Sequence, residues 1–133
     1  MSPMPSGPAQ RRKRRVVVVE DDEDLVELLK EMLEGEGHEV STATDGRAGL
    51  ALIQASHPDV VLCDVGLPGF DGHEVARAVR SDPTVASTRL LALSGWTRAE
   101  DVARAKASGF DVVLGKPLGM DSVIAEVERA GPP

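Results

Sequence analysis

The 133-residue sequence has one cysteine, one tryptophan, two phenylalanines and no tyrosine. A single cysteine, Cys63, excludes an intramolecular disulfide framework and fits a reducing cytoplasm. No apolar run exceeds four or five residues, far short of the roughly 20 that a membrane-spanning helix needs. The N-terminus also lacks the apolar stretch of a secretory signal. No repeat, coiled-coil heptad or second domain shows in the pattern. What is present suits one cytoplasmic globular domain: 41% hydrophobic residues for a core and 28% charged residues for a surface. A chain of this length buries enough apolar area to fold without a disulfide or a structural metal.

Charge is unevenly spread. Residues 1–15 carry five positive charges (Arg11, Arg12, Lys13, Arg14, Arg15) and no negative ones, so the net charge of −7 less these 5 leaves −12 on the remainder. A body that acidic repels phosphates, and direct nucleic-acid binding is not expected of it. The basic run itself suits an acidic surface, a nucleic acid or a membrane. Set beside Pro3, Pro5, Gly7 and Pro8, it reads first as a solvated, disordered extension over residues 1–14. The domain proper is expected over 15–130, with a short tail at 131–133.

From Val16 onward, short apolar runs alternate with amphipathic ones. Val16–Val19 is a β-branched run that ends abruptly in acid, as a strand buried on both faces does. Leu25, Leu28, Leu29, Met32 and Leu33 recur at three- and four-residue steps and predict a helical stripe, stopped by Gly35 and Gly37. His38–Thr42 predicts a second strand, and Ala48, Leu50, Ala51 and Ile53 a second helix. Asp59–Cys63 reads as the third strand, followed by the loop GLPGFDG and a helix through Val75, Ala76 and Val79. Arg89–Leu93 and Phe110–Leu114 are the fourth and fifth strands. Helices around Ala99–Lys106 and through Val123, Ile124 and Val127 follow them.

Five strands each followed by a helix predict a parallel α/β sheet with helices on both faces. Ligands of such sheets bind beyond the carboxyl ends of the strands. The first strand ends in Glu20, Asp21 and Asp22, the third in Asp64, the fourth in Ser94 and Gly95, the fifth in Lys116 and Pro117. Each alone reads as a turn or cap residue, and Asp22 or Asp24 suits the N-cap of the first helix. Together on one edge they bring carboxylates, a hydroxyl and an ammonium to one place. Clustered carboxylates repel unless a cation sits among them, and magnesium, a hard ion with oxygen ligands, suits them. Such a site holds a phosphoryl group beside the metal, with Lys116 and Ser94 on its oxygens.

The stretches VVVVEDDEDL, PDVVLCDVGLPGFDG, LALSGW and GFDVVLGKP resemble, in order and spacing, the signature regions of response-regulator receiver domains. The resemblance covers about residues 15–130, and the GLPGFDG loop and GF–KP ending are similar to receivers attached to hybrid sensor histidine kinases. It implies a single-domain flavodoxin-like fold with five parallel strands in the order 2-1-3-4-5. It further implies that Asp64 is the phosphoacceptor, and that Glu20 and Asp21 are the acidic pair, with Asp21 the more direct Mg2+ ligand and Glu20 acting partly through water. Gly66 takes the position whose backbone carbonyl completes the metal site. Ser94 takes that of the conserved hydroxyl, with Gly95 beside it, Lys116 that of the lysine, and Pro117 that of a proline usually preceded by a cis peptide. The partners implied are a sensor histidine kinase or a histidine phosphotransfer protein, and an unnamed downstream protein. The chain itself is expected to be a monomer or weak dimer away from membranes. The only chemistry implied is phosphorylation and dephosphorylation of its own Asp64, so it is not expected to be an enzyme acting on other substrates. No output domain follows residue 130, so the effect is expected to pass through another protein, unless the chain is a piece of a hybrid kinase.

One position departs from the family pattern. The fifth-strand aromatic that rotates inward in many receivers is matched by Val113, so the usual readout is missing its aromatic half. That departure keeps a phosphorylation-independent pseudo-receiver scaffold as an alternative. A haloacid-dehalogenase-type phosphatase would need an acid two residues after its nucleophile, where this chain has Gly66. A P-loop or dinucleotide fold would need glycines where the chain has EDDED. Trp96 reads as a loop residue, either part of a partner surface or packing. Cys63 reads as a core residue pointing away from the site, and His38, His57 and His73 read as surface residues.

Overall fold

In the computed structural model, which describes residues 13–130, five strands alternate with five helices. The strands are β1 (Arg15–Val19), β2 (Glu39–Ala43), β3 (Val60–Asp64), β4 (Arg89–Ser94) and β5 (Val112–Gly115). The helices are α1 (Glu23–Gly35), α2 (Gly46–Ser56), α3 (Gly72–Ser81), α4 (Ala99–Ser108) and α5 (Met120–Glu128). All strand pairs are parallel and the order is β2-β1-β3-β4-β5, the flavodoxin-like order.

Alternation along the strands divides the core in two. Val17, Val19, Val61, Cys63, Leu90 and Ala92 pack with Ile53 of α2, Val75, Ala76 and Val79 of α3, and Ala105 of α4. Val16, Val18, Val60, Leu62, Leu91 and Leu93 face the other way, against Leu29 and Leu33 of α1 and Val123 and Val127 of α5. Odd and even positions thus serve opposite faces, which is why these strands read as unbroken apolar runs. Each fully buried valine or leucine contributes roughly 1.5–3 kcal/mol relative to exposure.

The register aligns the functional edge. Val19 is level with Cys63, Asp64 with Leu93, and Ser94 with Gly115. Glu20, Asp64, Ser94 and Lys116 therefore all emerge within a residue or two of one line across the sheet.

Several expectations need correction. Leu28 is 51% exposed, and the buried line of α1 is Val26, Leu29 and Leu33. At about 100° per residue Leu28 lies well round the helix from both Val26 and Leu29. His38 and His73 are buried rather than on the surface. His38 Nδ1 accepts the Arg14 N–H at 3.1 Å and its Nε2 lies 3.2 Å from Glu128 Oε2, so both ring nitrogens are satisfied inside. His57 is exposed and ends α2 in a left-handed conformation, φ 48°.

The boundary of the basic extension also shifts. Residues 1–12 and the tail 131–133 lie outside the described residues. Arg14, however, belongs to the folded body: it is buried, and its guanidinium donates to the Glu128 carbonyl at 2.6 Å. The strand starts differ slightly. His38 closes the end of α1 by donating to the Leu33 carbonyl, and Phe110 closes α4 by donating to the Ala105 carbonyl. Neither is therefore free to begin a strand.

Candidate functional site

The acidic triplet after β1 divides into three roles. Glu20 is 1% exposed, and its Oε2 accepts the Asp22 N–H at 3.1 Å. Asp21 is exposed. Asp22 caps α1 by accepting from the backbone of Asp24 and Leu25 at 3.1 and 3.3 Å.

Asp64 closes β3, where its Oδ1 accepts the Gly66 N–H at 2.9 Å. Behind it α3 begins with a reciprocal cap: Asp71 Oδ1 accepts the Glu74 N–H at 3.0 Å, and Glu74 Oε1 accepts the Asp71 N–H at 3.1 Å. Gly72, the first residue of α3, lies so close that a Cβ would stand 2.3 Å from the Asp64 carbonyl oxygen and 2.6 Å from Val65 Cα.

Lys116 reaches across from the end of β5. Its Nζ is 2.8 Å from Glu20 Oε1 and 3.5 Å from Asp64 Oδ2. The Glu20 contact is a short ion pair to a buried carboxylate oxygen. The Lys116–Pro117 peptide is cis. Burial pushes the Glu20 carboxyl above its ordinary value; Lys116 and the Asp22 N–H pull it back, and Asp64 pushes it further up. Burial disfavours the Lys116 ammonium, but Glu20 and Asp64 outweigh that and hold its proton more tightly than usual. Cys63, packed on the α2–α4 side of the sheet, has its thiol pushed far up by burial and is held neutral.

Glu20, Asp21 and Asp64 each offer an oxygen within 4.8 Å of the others. Three carboxylates against one ammonium leave an excess of negative charge. An all-oxygen donor set of this charge fits a hard divalent cation such as Mg2+.

Ser94 lies on the same edge, but its hydroxyl is engaged elsewhere. Oγ donates to the Trp96 carbonyl at 2.8 Å and accepts the Trp96 N–H at 3.0 Å. Trp96 is 67% exposed. Val113 is half-buried on β5 and packs on the α2–α4 side of the core.

The arrangement has close counterparts. A family model described as the response regulator receiver domain matches residues 16–128. The chain belongs to this family. Among solved structures, this receiver is 31% identical to the chemotaxis response regulator CheY4 of Vibrio cholerae, with a TM-score of 0.84 over 90% of this chain and 100% of that one. It is 36% identical to the receiver domain of the putative response regulator NarL from Mycobacterium tuberculosis, with a TM-score of 0.79 over 87% and 94% of the two chains. Among curated proteins, the DNA-binding response regulator MtrA of M. tuberculosis is 35% identical over 107 residues, 80% of this chain and 46% of MtrA. The receiver thus spans about half the length of that relative. An uncharacterized 14.6 kDa protein of Leptolyngbya boryana is 36% identical over 109 residues, 82% of this chain and 83% of that one.

The structure brings Glu20, Asp21, Asp64 and Lys116 together, while Ser94 faces its own loop. Sequence reasoning missed three things: the contact of Gly72 with the Asp64 backbone, the Ser94–Trp96 turn, and the burial of His73. An Asp-Gly pair before a helix signals a cap, and nothing in it signals a long-range contact. The Ser-Gly-Trp spacing suits a side-chain-to-backbone turn and was the available clue to the second.

Proposed function

We propose that this receiver accepts a phosphoryl group on Asp64 from a phosphohistidine of a sensor histidine kinase or a histidine phosphotransfer protein. The observation that carries the reading is the meeting of Asp64 with Glu20, Asp21 and Lys116 at the ends of β3, β1 and β5. An Asp64 carboxylate oxygen attacks phosphorus, the P–N bond breaks, and its electrons return to the imidazole, which is left neutral or takes up a proton. The product is an acyl phosphate on Asp64. Gly66 N–H holds the carboxylate in orientation through Oδ1, and Lys116, 3.5 Å from Oδ2, is placed to pair with an incoming phosphoryl oxygen. Glu20, Asp21 and Asp64, with the Gly66 carbonyl that the family pattern adds, would hold Mg2+, which when bound supplies charge neutralisation between carboxylate and phosphoryl group. Water later attacks phosphorus, releasing phosphate and restoring the carboxylate.

Phosphorylation then alters a protein-interaction face for a downstream protein, in a cytoplasmic monomer or weak dimer that touches neither membrane nor nucleic acid directly. The acidic body supports the last point, and no described helix is long and apolar enough to cross a membrane. One observation favours a phosphorylation-independent scaffold: the Ser94 hydroxyl is already satisfied by Trp96.

Intact mass after incubation with acetyl phosphate and Mg2+, for wild type and Asp64→Asn, separates the two readings. A gain of one phosphoryl group in the wild type alone is expected. No gain from acetyl phosphate or from a phosphorylated histidine donor, with no Mg2+ bound, would leave the scaffold as the better reading.

A further inference from the structure

We propose that Trp96 is the moving part of this receiver's switch: when Asp64 is phosphorylated, its indole leaves solvent and fills a cavity between α4 and the loop leading into α3. The inference rests on Asp64 being the phosphoacceptor.

A hydroxyl has one proton to give, and Ser94 gives it to the Trp96 carbonyl. Ser94 stands one residue past Leu93, the β4 partner of Asp64. A phosphoryl group on Asp64 presents charged acceptors there, and hydrogen bonds to charged acceptors are about twice as strong as neutral ones. Ser94 cannot serve both, so donation to the phosphoryl group releases the Trp96 carbonyl and leaves the turn held only by the Trp96 N–H on Oγ. Residues 95–100 are exposed, and the position a Cβ would take on Gly95 has nothing within 4 Å. The released loop is free to swing.

Space to receive the indole lies beside the loop. A half-open cavity of about 270 Å³, which Trp96 itself borders, has Val65, Leu67, Ala105 and Val113 on its apolar side and Asp71 and Asp101 among its polar lining. Cavities of about 150 Å³ accept a benzene ring, so an indole fits. Val113 is short enough to leave this room open. Two of its lining residues suit the polar features of the ring. Arg104 supplies a cation for its face. His73 also lines the cavity, with Nδ1 2.9 Å from Ser108 Oγ; a neutral ring carrying its proton on Nδ1 offers Nε2 as an acceptor for the indole N–H. Burial, with Arg104 nearby, favours the neutral imidazole this requires.

Trp96 is the sole tryptophan and the chain has no tyrosine, so intrinsic fluorescence reads the indole directly. The full chain is treated with acetyl phosphate and Mg2+, and emission, acrylamide quenching and intact mass are read on the same samples. The expected result is a blue shift and a several-fold drop in the quenching constant, both proportional to the phosphorylated fraction and absent in Asp64→Asn. Val113→Phe, which fills the cavity, should gain mass without the shift. A mass gain with unchanged wild-type emission and quenching overturns the inference and leaves phosphorylation standing, as does a shift that persists in phosphorylated Val113→Phe. No mass gain from acetyl phosphate or from a phosphorylated histidine donor removes the phosphoacceptor, and this inference falls with it.

Discussion

His73 shows how one side chain acquires pH sensitivity from its neighbours. It sits where α3 meets α4, facing Ser108, with its ring nearly perpendicular to that of Phe110 at a centroid distance of 6.4 Å. Burial and then Arg104 lower its proton affinity, Asp71 opposes them, and Arg77 adds slightly to the lowering. In the unfolded chain the group returns to its ordinary value of 6.5. Below that pH the unfolded state binds the proton more readily, so the contribution of His73 to stability is full above 6.5 and is lost as pH falls through the lower folded-state value. Urea unfolding at about pH 7.5 and about pH 5.5 should show a smaller fall in stability for His73→Leu than for wild type. Equal falls would remove His73 from the account.

The loop between β3 and α3 shows how glycines set the position of an element. A Cβ on Gly46 would stand 1.9 Å from the Phe70 carbonyl oxygen, and the Arg47 guanidinium lies 4.7 Å over the Phe70 ring, so the start of α2 clamps the loop from one side. Gly72 lets α3 close against the Asp64 backbone from the other. Gly72→Ala should therefore cost about 1–3 kcal/mol by overpacking, whereas Gly95→Ala, with open space around it, should stay within about 0.5 kcal/mol of wild type. Paired urea midpoints check this. Because the displaced backbone in Gly72→Ala is that of Asp64, the same variant should also phosphorylate more slowly. Similar midpoints for the two variants would show that α3 can retreat without cost.

Across the whole molecule, Arg14 joins the chain's entry to its last helix. Its N–H bonds His38, between α1 and β2, and its guanidinium bonds the Glu128 carbonyl at the end of α5. Arg89 makes a second tie from β4 to α5 through Glu126. Lys13, one residue away, has only an exposed 3.8 Å ion pair with Glu39, a kind of contact usually worth about 0–1 kcal/mol. Arg14→Ala should lower stability by about 1.5–3 kcal/mol, the range for a hydrogen bond to a charged group, while Lys13→Ala should change it by less than about 1 kcal/mol. Thermal unfolding of the two variants distinguishes them. An equal effect would mean that Arg14 is no more part of the body than Lys13.

The sequence by itself determined the elements and the chemistry available at the sheet edge. Apolar runs of four, such as Val16–Val19, and stripes at three- and four-residue steps reflect local periodicity, which survives without any long-range contact. A parallel sheet then sends Glu20, Asp64, Ser94 and Lys116 to one side, because every strand runs the same way. Tertiary structure decided how those groups are used. Which of three consecutive acids is buried, which exposed and which a cap depends on what packs beside each, and so does the burial of His38 and His73. The engagement of Ser94 with Trp96, the room left by Val113 and the pressure of Gly72 on Asp64 were decided there too. Apart from the Asp22 cap and the Ser94–Trp96 turn, which are local, these outcomes rest on contacts between different elements, where packing and hydrogen-bond satisfaction outweigh the intrinsic preference of any one residue.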